Sequence, residues 1–176
     1  MKFWAGIGSR ETPEEIQDMM TEIASYLEDI GYILRSGNAQ GADQAFAKGV
    51  KRAAQIWLPW MEFNQWFSLS HSEHKYAVIN PDDEDAYSSI EKYHPKPKSL
   101  GHAAIKLMAR NFRQVIGRDN ESNSEFVICW TKGGKPVGGT GQALRIASDH
   151  NIPIYNMFNL TVEQILNQIH KLNMLQ

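Results

Sequence analysis

Two rhythms of apolar and polar positions alternate along the chain. The runs Phe3-Trp4-Ala5-Gly6-Ile7, Tyr32-Ile33-Leu34-Arg35, Gln55-Ile56-Trp57-Leu58, Phe126-Val127-Ile128-Cys129-Trp130 and Ile152-Pro153-Ile154-Tyr155 are short and end near Gly, Ser or Pro. They predict buried strands. Between them the spacing turns helical, as in Ile16, Met19, Met20, Ile23, Ala24, Leu27 and Ile30, which stop at Gly31. Thr12-Pro13-Glu14-Glu15 reads as the start of that helix, with a capping hydroxyl, a first-turn proline and a capping box closed by Glu15. Further helices are predicted over about 42–53, over a segment capped by Ser99 that carries Ala103, Leu107, Met108, Phe112, Val115 and Ile116, over about 141–150, and after a cap at Thr161. Strands alternating with helices imply a parallel sheet covered on both faces. The expected fold is α/β, a Rossmann-like doubly wound domain over 1–176 with a polar insertion at about 59–100.

Composition narrows the function classes. With 176 residues and 42% hydrophobic content the chain can build its own core, and no apolar run approaches the roughly 20 residues of a membrane-spanning helix. The N-terminus lacks the apolar stretch of a secretory signal, and Cys129, the single cysteine, makes neither an internal disulfide nor a Cys-based zinc site. A cytoplasmic location is the expectation, with no membrane partner. A net charge of −2 disfavours a long non-specific nucleic-acid track, so DNA is the less favoured partner.

Ligands of such sheets bind beyond the carboxyl ends of the strands, where helix N-termini offer free N–H groups. The glycines gather there. Gly8-Ser9-Arg10 follows the first strand, Ser36-Gly37-Asn38 and Gly41 follow the second, and Gly138-Gly139-Thr140-Gly141 follows the run that ends at Trp130. Glycine admits an anion close to the backbone, while Ser9, Ser36, Thr140 and Arg10 add hydroxyls and a cation, a combination suited to phosphate. No loop ends in Gly-Lys-Ser/Thr, and Gly-x-Gly-x-x-Gly is not completed after Gly8, so neither a P-loop nor a dinucleotide fingerprint is present.

Ile7-Gly8-Ser9-Arg10 with Ser36-Gly37-x-Ala39-x-Gly41-Ala42-Asp43 resembles the Rossmann-like core of the DNA-processing protein DprA and, more widely, the SLOG superfamily. That grouping includes the Lonely guy (LOG) phosphoribohydrolases, and the pattern is most similar to short SLOG proteins of the kind found in phage genomes. Gly138-Gly139-Thr140-Gly141 resembles the LOG loop that holds a nucleotide phosphate, and Arg110-Asn111 resembles the pair that small SLOG proteins aim at the ligand. The resemblance implies a nucleotide-binding pocket and a homodimer or higher homo-oligomer, for which the apolar face from Ala103 to Ile116 is a candidate surface. One position departs from LOG. Where that family carries its catalytic glutamate, this chain has Arg145, which cannot act as a general base.

Asp43 is therefore the candidate catalytic carboxylate, weighed against a role as helix cap or as acceptor for a ligand hydroxyl, with Glu11 and Glu73 behind it. The aromatic segment after the third strand offers Trp60 and Phe63 for base stacking, against core packing or a subunit contact. His71-x-x-His74 with Glu73, and His94 and His102 beyond, lack an assured third ligand, and Pro81-Asp82-Asp83-Glu84-Asp85 reads as a helix start. No metal and no resident cofactor is expected. Lys132, Lys135, Arg35 and Arg113 add cations near these loops, whereas Lys98, Lys106 and Arg118 fit exposed faces. Three functions follow. The first is binding, for sensing or sequestration, of a nucleotide or nucleotide-derived signal without LOG chemistry. The second is an N-glycosidase releasing base and ribose 5-phosphate from a nucleoside monophosphate, and the third a DprA-like single-stranded DNA factor.

Overall fold

The alternation of side chains across each strand decides how the layers form. In β1 (Lys2–Gly8) Trp4 points to one face while Ala5 and Ile7 point to the other, and in β5 (Val127–Trp130) Ile128 and Cys129 divide the same way. Both faces of the sheet are thus apolar and both are covered. The computed structural model describes residues 1–64, 75–118 and 122–174. Its sheet has six strands, all parallel, in the order β4-β3-β2-β1-β5-β6, with β2 (Tyr32–Ser36), β3 (Ala54–Leu58), β4 (Lys75–Val78) and β6 (Ile154–Asn156) completing it. This is a Rossmann-like α/β fold.

One core cluster packs Trp4, Leu34, Ile56, Phe126 and Ile128 against α1 (Glu14–Asp29), α2 (Ala42–Gly49) and α6 (Val162–Met174). The other packs Ala5, Ile7, Val127 and Cys129 against α3 (Glu84–Tyr93), α4 (His102–Ile116) and α5 (Gly138–Asp149). Phe112, Val115 and Ile116 lie inside that second core. The apolar face of α4 from Met108 to Ile116 is therefore occupied within the chain, whereas Ala103 at its start is exposed and Leu107 is half-buried. No helix among the described residues is long and apolar enough to cross a membrane.

Several local expectations change. Thr12 does not cap α1: its hydroxyl donates to the Ser9 carbonyl at 2.6 Å, and Pro13 occupies the cap position without a side-chain bond. The helix predicted over 42–53 ends at Gly49 because Val50 turns extended and the Glu28 carboxylate collects the N–H groups of Lys51, Arg52 and Ala53. Ser99 caps nothing in α4. Its hydroxyl closes a 3-10 turn on Lys96, and α4 starts three residues later. Thr161 does cap α6, in a reciprocal pair with Gln164. Within 59–100, where the sequence shows little pattern, the chain supplies edge strand β4 and helix α3, and the acidic turn is indeed a helix start, with Asp83 accepting the Ala86 N–H at 3.1 Å.

Candidate functional site

Strand order reverses at β1, which has β2 on one side and β5 on the other, so the crevice at their carboxyl ends is the switch point where such sheets hold ligands. A cavity of about 490 Å³ opens there. Its walls come from the loop after β1, the start of α2, one face of α4, the loop after β5 and the first turn of α5.

The β1 and β2 loops meet backbone to backbone. A Cβ on Gly8 would lie 2.6 Å from that of Ala42, and Gly41, at φ +83°, sits so close to Ser9 that a Cβ would fall 2.6 Å from its carbonyl oxygen. Glycine at both positions lets α2 begin directly beside the end of β1. Gly8, Ser9 and Arg10 line the cavity, whereas Gly41 packs behind it. Ser36 lies deeper, its hydroxyl donating to the Gly6 carbonyl at 2.7 Å across the strands. Gly37 makes room: a side chain there would occupy the place of the Arg110 guanidinium. Asn38, at φ 57°, donates from Nδ2 to the Phe63 carbonyl at 3.0 Å and so straps the β3 loop to the β2 loop. Phe63 is buried, stands edge-on to Trp60 and lies 5.7 Å from the Arg110 guanidinium. Neither aromatic ring lines the cavity: Phe63 backs Arg110, and Trp60 packs on Phe63.

The opposite wall is the start of α5, three residues earlier than the sequence suggests, which turns the predicted glycine loop into the helix's first turn. Gly138, Gly139 and Thr140 line the cavity, and no side chain among the described residues caps the helix. Its first N–H groups therefore carry the positive end of the dipole into the crevice. Gly141 packs against the Pro136 carbonyl and does not reach the cavity. Arg10 and Lys132 flank the mouth, and Lys132 pairs with Glu11 at 3.4 Å in an exposed contact.

Helix α4 contributes the inner wall through Leu107, Arg110, Asn111 and Gln114, spaced so that they share one face. Sequence reading found the middle pair and missed Leu107 and Gln114, although that same spacing extends the face to both. Asn111 donates from Nδ2 to the Gly139 carbonyl at 3.0 Å, tying α4 to the first turn of α5. The Arg110 guanidinium lies 3.4 Å from the Asp43 carboxylate, and both side chains are buried. Burial pushes the Asp43 carboxyl above its ordinary value against the opposing pull of Arg110 and of the Ala39 and Gly8 N–H groups. Burial also weakens the hold of Arg110 on its proton, and the nearby Arg10 charge adds to this, yet a guanidinium stays charged. Arg10, Arg110 and Lys132 against Asp43 and Glu11 leave the lining with an excess of positive charge, to which the helix dipole adds.

The other cations are engaged elsewhere. Arg35 is buried on the sheet, bonded to Gln55 and stacked 3.9 Å from the Phe3 ring centre. Arg113 grips Asp83 with two bonds of 2.7 and 2.6 Å. Arg145 donates to the carbonyls of Tyr93 and Pro136, away from the cavity. Lys135 is exposed and does not line the cavity. Among the described residues no group of three His, Cys, Asp or Glu could hold a metal ion; His71, Glu73 and His74 lie outside them.

No protein-family model matches the chain, and no curated protein is significantly similar to it. The functional reading rests on the chemistry of the site.

Proposed function

We propose that this chain binds a nucleotide or nucleotide-derived small molecule by its phosphate, sensing or sequestering it without LOG-type cleavage. The observation that carries the reading is the uncapped N-terminus of α5 in a switch-point cavity whose far wall holds Arg110, only 5% exposed. A guanidinium has five N–H donors, and among the described residues this one has a single protein acceptor, Asp43. Buried donors without partners are costly, so the arrangement calls for an acceptor-rich ligand. The SLOG resemblance of the three loops supports the same reading, and Arg145, at the position of the LOG glutamate, is turned toward Tyr93 and Pro136.

A hydrolase is the second reading, favoured by one observation. Asp43 is a cavity-lining carboxyl that burial pushes upward, as a general acid would require. A thermal-shift screen of nucleotides, cyclic dinucleotides and ADP-ribose derivatives, with chromatography of each mixture, separates the two. Binding stabilises by RT ln(1 + [L]/Kd), about 2.7 kcal/mol at a hundredfold excess over Kd. The expected result is stabilisation with no free base. Base release that disappears in Asp43→Asn would establish the hydrolase, and no shift with any compound would remove the small-molecule reading.

A further inference from the structure

The polar atoms of the inner wall differ in what they present to the cavity. Asn111 bonds to the Gly139 carbonyl and so stands level with the first turn of α5; Gln114 follows three residues later, about 4.5 Å further along α4 at 1.5 Å per residue. The Gln114 amide nitrogen is sealed. It lies 2.5 Å from where residue 37 would carry its Cβ and has no partner among the described residues, so the amide oxygen is the polar atom by which Gln114 lines the cavity. Asp43 lines it as well. Its Oδ2 accepts from Nη1 of Arg110 at 3.4 Å and from the Ala39 N–H at 3.3 Å, both long bonds, so the carboxylate keeps capacity for a further donor. In Arg110 Nε is sealed and Nη1 is engaged, which leaves Nη2 for a ligand.

Two acceptors and one donor thus share this wall. An amino group only donates and a carbonyl only accepts, whereas a hydroxyl does both. Position points the same way. With a phosphate at the first turn of α5, the part of a nucleotide that lies beside Gln114 is its sugar, because the base hangs from the sugar's far side. Resting on the phosphate reading above, we infer that the Asp43 carboxylate and the Gln114 amide oxygen accept the vicinal hydroxyls of a ribose, so that the cavity prefers ribose phosphates to their 2-deoxy counterparts. A deoxy sugar would cover an acceptor without giving it a donor.

Ribose 5-phosphate and 2-deoxyribose 5-phosphate differ by that one hydroxyl and carry no base, and inorganic phosphate has no sugar. Calorimetric titration of the full chain with all three, at millimolar concentrations, should show the ribose compound binding tighter than the deoxy compound by about tenfold, the range for one hydrogen bond to a charged group. Gln114→Met keeps the volume, removes the amide oxygen and breaks no bond to a described residue. It should narrow the preference severalfold while leaving the affinity for inorganic phosphate in place and the ligand-free melting temperature unchanged or raised. Equal affinity for the two sugars, or tighter binding of the deoxy compound, overturns the inference and leaves the phosphate reading standing. A preference untouched by Gln114→Met overturns it as well. Failure of all three compounds, inorganic phosphate included, strikes the phosphate reading and this inference with it.

Discussion

The Arg110 guanidinium lies where residue 37 would carry its Cβ, with the Asp43 carboxylate 3.4 Å away. The second loop of the Ser-Gly-x-Ala-x-Gly-Ala-Asp pattern thus serves α4 as much as a ligand: its glycine clears a space, and its aspartate supplies the counter-charge.

Gly37→Ala should therefore act like a lesion of Arg110. The new methyl displaces the guanidinium, and nucleotide affinity should fall by about 1.5–3 kcal/mol, as for loss of a charge-assisted hydrogen bond. Arg10→Ala should weaken binding comparably but leave the ligand-free melting temperature in place, because Arg10 is exposed. Arg110→Ala should lower both, since it strands the buried Asp43. Melting curves with and without nucleotide check all three, and an unchanged melting temperature for ligand-free Arg110→Ala would mean that the buried pair contributes nothing to the fold.

Much of this site was legible in the chain. Glycine at strand ends, an apolar run before each loop and helical spacing after it specify where the loops converge, and nine of the residues expected at the ligand, from Gly8 to Thr140, do line the cavity. What stayed hidden depends on contacts distant in sequence. Nothing near Gly49 signals that Glu28 will end α2 by capturing three N–H groups. Strand β4 is a four-residue edge, too short for a period of two to declare itself. Arg110, Arg113 and Gln114 break the apolar face of α4 as if they faced water, yet each is buried, so hydrophobic periodicity alone could not separate the site from solvent.

Asp83 joins two helices. It accepts two bonds from Arg113 of α4 and caps α3, and despite the cost of burial these donors hold its carboxyl below the ordinary value. Arg113 is buried and Asp83 half-buried, and Arg113 keeps the Gly117 carbonyl and Asp85, so Asp83→Ala should cost about 1.5–3 kcal/mol, the range for charged hydrogen bonds, and lower the melting temperature by roughly 5 °C in a chain of this size. Nucleotide affinity per folded molecule should stay the same. A melting temperature within a degree of wild type would show that the Asp83–Arg113 contact contributes little to holding α3 on α4.

Glu28 gives the fold an acid-sensitive joint. Burial raises its carboxyl, but the N–H groups of Arg52, Lys51 and Ala53 and the Arg52 charge outweigh this and hold it below its ordinary 4.5. A carboxyl depressed in the folded state contributes stability above its unfolded value and loses it as pH falls through the folded one. Glu28→Gln should therefore be destabilised at pH 7, by about 1.5–3 kcal/mol for charged hydrogen bonds, with the gap to wild type closing below about pH 4. Parallel denaturation curves would contradict the assignment if the gap were constant from pH 7 to pH 3.

The central claim is that the first turn of α5 receives a phosphate. Gly139 lines the cavity, and a Cβ there meets only the flexible end of Met108, so Gly139→Asp can be accommodated by the fold while placing a carboxylate where the anion would sit. The deciding measurement is titration of wild type and Gly139→Asp with the nucleotide that stabilises wild type most, alongside their ligand-free melting curves. The account predicts superimposable melting and binding abolished in the variant. Equal binding by both proteins would place the phosphate elsewhere and contradict it.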